Sequence, residues 1–145
     1  MEHYLFLGSE DSVYPGNEPG DFIVTLPKTY RLEGHWECAL LEMSLHMPYH
    51  ERLHVCCDVI EDSYVKGTLL PLLRIIPAVE EDGTRIGRAT VYGHLIFQRP
   101  YFFSLRGVKS LDRIRLFIRG SDMQPISLDR PVHCVLLLKK RRWVP

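Results

Sequence analysis

Apolar and polar residues alternate with a period of two over much of the chain. In "DRIRLFIR" (112–119), Ile114, Leu116 and Ile118 fall on one side, and Arg113, Arg115, Phe117 and Arg119 on the other. Successive side chains of a strand point to opposite faces, so this pattern predicts a half-buried strand. The stretches "HYLFL", "DFIVTL" (closed by Pro27), "HWECALLEMSLH", "LHVCCDVI", "TLLPLLRII", "TVYGHLIF" and "VHCVLLLKK" predict further strands, and "RPYFFSL" forms an aromatic segment. In the longest, Ala39, Leu41, Met43 and Leu45 share a face. Trp36, Cys38 and Leu40 take the other, which turns polar at Glu42, Ser44 and His46. Pro71 has no N–H for a ladder, which predicts an edge or a bulge there. Loops are marked by "SEDSVYPGNEPG", by "EEDGTRIG" with its Asp82-Gly83 turn, and by "GSDMQPISLDRP". No stretch carries apolar residues at three-and-four spacing over ten positions, so no helix is predicted.

About eight strands with long, uneven connections predict an all-β fold with Greek-key crossings rather than a meander. The expected architecture is an eight-stranded antiparallel single jelly-roll sandwich. The 145 residues suit one domain over 1–145, with a short basic C-terminal tail from about Lys139. No internal repeat or linker divides the chain.

Composition narrows the function class. The formal net charge is zero, which argues against a dedicated nucleic-acid binder. Hydrophobic residues make up 46% and charged residues 25%, as in ordinary soluble globular proteins. No apolar run approaches the roughly 20 residues of a membrane span, and the start "MEHYLFLGSEDS" does not read as a secretory signal. Membrane contact is therefore not expected. Cys38, Cys56, Cys57 and Cys134 sit in apolar, strand-like runs without C-x-x-C spacing, which predicts buried free thiols. Cys56 and Cys57 point to opposite faces of a strand and are not placed to bond each other.

One string carries chemistry on its face. "HERLH" (His50–His54) matches the His-Glu-x-x-His pattern, in which two histidines on one helix face hold zinc and the glutamate serves as general base. That reading needs a helix from about Tyr49 to Val55. The alternation from Leu53 onward predicts a strand instead, where positions four apart lie roughly 13 Å apart, too far to share one zinc. His46 adds nothing, because that spacing also needs a helix. No metal or cofactor is expected, and neither a Gly-x-Ser-x-Gly elbow nor a phosphate-binding glycine loop is present. Asp58, Glu61 and Asp62 read as a solvated rim, and His3, His35, His94 and His133 as scattered histidines.

Two basic features suggest contacts. Arg113, Arg115 and Arg119 with Phe117 form one outer strand face, a combination enriched at interfaces. Lys139, Lys140, Arg141, Arg142 and Trp143 form a basic run ending in an aromatic anchor. Any nucleic-acid or nuclear-import contact is expected only there. Each feature also fits a plain solvated face or a tail that blocks edge pairing.

The ordered motifs resemble a family. "FIVTLPKTYRLEGHWECALLEMSLHMP" carries Leu26-Pro27, Leu32, Gly34, Trp36-Glu37, Ala39-Leu40 and Glu42. "VCCDVIEDSYVKGTLLPLLRIIP" adds Asp58, Val65, Gly67 and Pro71 to Arg74, and the later part adds Pro100-Tyr101 and a last strand ending in basic residues. In this order they resemble the minor capsid (penton) proteins of Polinton/Maverick elements and adintoviruses over nearly the whole chain. The loop "HMPYHERLH" and the turn "IRGSDMQPISL" depart from that pattern. The resemblance implies a non-enzymatic single jelly roll that forms homopentamers at the fivefold vertices of an icosahedral shell, among trimers of a double jelly-roll major capsid protein. It implies a virion protein assembled inside the host cell, in the nucleus, with a host receptor as a further partner. Two rivals remain. One is a β-sandwich receptor- or glycan-binding module using Tyr14, Tyr49 or Tyr101. The other is a zinc hydrolase using His50, Glu51 and His54.

Overall fold

The computed structural model describes residues 1–48, 52–77, 90–107 and 110–141, and the turn expected at Asp82-Gly83 lies outside them. The described residues form strands and loops without a helix. The strands are β1 (Glu2–Gly8), β2 (Asp21–Arg31), β3 (Trp36–Pro48), β4 (Leu53–Cys57), β5 (Ser63–Val65), β6 (Thr68–Leu70), β7 (Leu72–Ile76), β8 (Thr90–Ile96), β9 (Phe103–Ser104), β10 (Ser110–Arg119) and β11 (His133–Lys140).

Two antiparallel sheets hold the long strands. The first runs β1-β11-β3-β8, with β9 also on β3, and the second runs β2-β10-β4-β7. Passing along the chain through these eight strands, every step but β4 to β7 crosses from one sheet to the other. This is the jelly-roll order, two Greek keys folded into one sandwich. Between β4 and β7, β5 and β6 form a small hairpin whose two turn residues, Lys66 and Gly67, have φ of 46° and 84°. Positive φ at both positions suits the twist of a tight hairpin.

The core lies between the sheets. From β10 it receives Ile114, Leu116 and Ile118, from β2 Phe22, Val24 and Leu26, from β4 Leu53, Val55 and Cys57, and from β11 Cys134, Leu136 and Leu138. The alternation read from the sequence is thus the inward face of each strand.

Three elements differ from the expectation. The strand "DFIVTL" does not close at Pro27, because β2 continues to Arg31. Its register on β10 jumps from Thr25↔Arg113 to Tyr30↔Leu111, so Pro27 sits where the ladder is interrupted and no N–H is required. β2 is also an edge strand, where such an interruption costs least. The stretch "TLLPLLRII" is split at Pro71 into β6 and β7, and β7 is an edge strand with a register shift against β4.

The third difference is in β3. Leu136 pairs with Leu40 and Val135 with Glu42, which leaves Leu41 unpaired as a bulge. Before it, Trp36, Cys38 and Leu40 face the core. After it, Met43 and Leu45 do. The expected grouping of Ala39, Leu41, Met43 and Leu45 on one face is therefore broken, since one extra residue reverses the phase of everything after it. Met43→Ala should cost about 2–5 kcal/mol of stability by chemical denaturation. Leu41→Ala should cost well under half as much, whereas an unbulged strand would make the two losses similar.

Candidate functional site

Strand register fixes what each sheet presents outward, because directly opposed residues share a face. On the first sheet, Leu5 and Leu7 point into the core, so Glu2, Tyr4, Phe6 and Gly8 point out. Across the sheet, the rows run Glu2–Lys139–Glu37, Tyr4–Leu137–Ala39, Phe6–Val135–Glu42–Ile96 and Gly8–His133–Ser44–His94. Phe6 is 74%, Ile96 66% and Tyr4 53% exposed. Phe6 and Ile96 thus stand at the two edges of this face, with Val135 and Glu42 between them. Beside Phe6 a groove of about 390 Å³ is lined by Glu42, Ser44, His94 and His133. His94 Nε2 lies 3.1 Å from Glu42 Oε1. The charged groups in these outward rows are three glutamates and one lysine, and Lys140 and Arg141 line the same depression as Glu2, Glu37 and Lys139.

The second sheet presents an arginine-bearing face. Asp21, Ile23 and Thr25 of β2 face outward beside Phe117, Arg115 and Arg113 of β10, and Arg119 lies opposite His54 of β4. Arg113, Arg115, Phe117 and Arg119 thus share the outer side of β10, and this side is partly engaged from within. Asp21 accepts two hydrogen bonds from Arg115, at 2.9 and 2.8 Å, a forked pair that raises the Arg115 pKa. The guanidinium carbons of Arg115 and Arg119 lie 4.5 and 5.2 Å from the Phe117 ring centre, and Phe117 is only 6% exposed. Just past β4, Asp58 accepts the Arg115 N–H at 3.0 Å, and burial pushes its carboxyl pKa up.

The described end of the "HERLH" string, Leu53 and His54, lies in a strand and not in a helix. Leu53–Cys57 is a strand of the second sheet, so its His54 end is extended, while His50 and Glu51 lie outside the described residues. His54 is 1% exposed, and its Nδ1 lies 3.2 Å from the Gly120 carbonyl oxygen. Lys66 Nζ donates to Ser121 O at 2.8 Å in the same turn. Burial lowers the His54 pKa, and Lys66 and Arg52 lower it further, against the Gly120 and Arg119 backbone groups. Among the described residues, no three His, Cys, Asp or Glu side chains gather into a set that could hold a metal ion.

The four cysteines are free and buried. Desolvation pushes Cys38, Cys56 and Cys134 up to about 12, and Cys57 well above the ordinary thiol value. Cys57 faces the core, and Cys56 faces outward beside Phe117. Of the rim carboxylates, Asp58 accepts the Arg115 N–H and Asp62 pairs with Arg106. His3 stacks on Trp36 at 5.5 Å, and His35 Nε2 lies 3.2 Å from Ser104 Oγ.

The basic run starts inside the fold rather than in a tail. Lys139 and Lys140 belong to β11 and pair with Glu37 and Trp36 of β3. The Arg141 N–H donates to His35 O at 2.8 Å, while Arg142 and Trp143 lie outside the described residues. Of the loop tyrosines, Tyr14 is hydrogen-bonded to Thr25, and Tyr101 lies under the Arg74 guanidinium at 4.0 Å. Tyr49 lies outside the described residues.

The face bearing Tyr4, Phe6 and Ile96 was missed in the sequence. "HYLFL" is apolar at every position after His3, so alternation cannot say which residues are inside. No protein-family model matches the chain, and no curated protein matches it.

Two measurements test these environments. His54 has a folded-state pKa below its unfolded value, so the unfolded chain binds the extra proton first. Its stabilisation is complete above the ordinary histidine value, about 6.5, and is lost as pH falls below it. In urea titrations, the loss of stability below that pH should be smaller for His54→Asn, which keeps an N–H donor but does not titrate. The native protein should also resist thiol alkylation at neutral pH and react at all four cysteines only when unfolded.

Proposed function

We propose that this chain is a structural capsid subunit, a minor capsid (penton) protein of the kind found in Polinton/Maverick elements and adintoviruses. It assembles as a five-membered ring at the vertices of an icosahedral shell, beside a double jelly-roll major capsid protein. The observation that carries this reading is the jelly-roll strand order, with sheets β1-β11-β3-β8 and β2-β10-β4-β7. The ordered motifs from Leu26-Pro27 to the basic end of the last strand support it. So does the open apolar face of Tyr4, Phe6 and Ile96, since a shell subunit must leave apolar surface for its neighbours. In this reading the protein performs no catalysis and works by presenting surfaces. It acts in the virion, and assembly takes place inside the host cell, in the nucleus.

A receptor- or glycan-binding module is the second reading, favoured by the groove beside Phe6. Its Glu42, His94 and His133 offer hydrogen-bonding groups next to an exposed ring.

Native mass spectrometry of the purified chain separates these readings. A five-protomer species is expected. A protein that stays monomeric at millimolar concentration and low salt overturns the ring. Selective retention on a glycan array, abolished by Phe6→Ala, would instead support the binding module.

A further inference from the structure

The sandwich has four sheet edges, β1 and β8 in the first sheet and β2 and β7 in the second. An edge strand turns a row of backbone N–H and C=O groups away from its sheet, where another chain can pair with them. β2 is closed against this. Asp21 and Glu18 exchange backbone hydrogen bonds of 3.0 Å. The Ile23 N–H donates to Asn17 Oδ1, and the Asn17 amide donates to Ile23 O, both at 3.0 Å. The Thr25 N–H donates to Ser12 Oγ at 2.9 Å. Every second residue from 21 to 25 is thus capped by the preceding loop. On β1, Asp11 caps the Gly8 N–H at 2.7 Å. Among the described residues, no loop or side chain caps the backbone of β7 in this way.

Beside that edge lies a groove of about 450 Å³, lined by Leu72, Pro77, Tyr101 and Phe103 around Arg74. The half-buried Arg74 guanidinium lies against two rings, 4.3 Å from the centre of Phe97 and 4.0 Å from that of Tyr101. One of its nitrogens donates to Arg99 O at 2.8 Å. Stacking and this bond orient the plane, and further N–H donors remain on its rim. Among the described residues, no carboxylate lines the groove and none pairs with Arg74. An oriented fork of donors without its anion is the complement of a carboxylate.

We infer that β7 and this groove bind an extended peptide segment of another protein, which adds as a further strand and sets an acidic side chain on Arg74. Strand addition takes affinity from the backbone and selectivity from pockets for alternate side chains. Arg74 is the central residue of β7, so a paired strand runs past it in both directions. The carboxylate therefore belongs to a side chain and not to a chain end. Peptide residues two positions from it share its face and meet the apolar walls of the groove, which selects apolar residues there. The contact needs one copy of this chain and one peptide, so it stands apart from the ring.

The probe is an array of capped seven-residue peptides. Each has a central glutamate, a threonine on either side, and valine, leucine, isoleucine or phenylalanine two positions away. Binding is followed by NMR of the isotope-labelled chain. The best peptides should shift the amides of β7 and the Arg74 Nε–H saturably. Replacing the glutamate by glutamine should weaken binding about tenfold, as should Arg74→Gln in the protein. Should that variant misfold, the glutamine peptide reads the same interaction with the unaltered chain. N-methylation of one alternate set of peptide nitrogens should abolish binding, and of the other set leave it. No saturable shift from any peptide overturns the inference, as does a glutamine peptide that binds equally well. Binding that survives both N-methylations refutes strand addition, and shifts confined to the groove beside Phe6 refute the assignment to β7.

Discussion

The arrangement depends on the bulge at Leu41. β3 pairs with β11 on one side and with β8 and β9 on the other, so the first sheet is organised around it. A strand of thirteen residues that twists across a curved sandwich must keep one face on the core for its full length. The amino-acid order does not do this with a single phase, since Trp36, Cys38 and Leu40 share one parity and Met43 and Leu45 the other. The unpaired Leu41 reconciles them. It also turns Glu42 outward, opposite Ile96 and within reach of His94. Without that shift the glutamate would enter the core, where an unpaired carboxylate is costly.

The two sheets solve the problem of a solvent-facing surface differently. The second sheet covers its outward aromatic with its own arginines and ties one of them to Asp21 across the strands. Its outer surface is largely satisfied within the monomer, with cations still in excess. The first sheet leaves Tyr4, Phe6 and Ile96 open. One sandwich therefore has two chemically distinct sides, although its composition is neutral.

The element that carries a motif decides what its residues do. The spacing of four in "HERLH" has chemical force only on a helix. In β4 its second histidine is spent holding the Gly120 turn instead. The thiols show the same principle. Adjacent cysteines invite thoughts of redox chemistry, yet Cys56 and Cys57 project to opposite sides of one buried strand, and desolvation keeps them protonated.

By itself the sequence determined the β class, the inward residues of β10, the alternation along β4, an edge or a bulge at Pro71 and the burial of the thiols. These follow from local rules, chiefly the period of two and the backbone limits of proline. Only the tertiary structure decided the continuation of β2 through Pro27, the rephasing of β3 and the outward position of Phe6. Each of these depends on which distant strand lies alongside, as when Val135 and Leu136 skip Leu41. A strand's own alternation names two faces, but only its partners settle which one is buried and where a residue is left over.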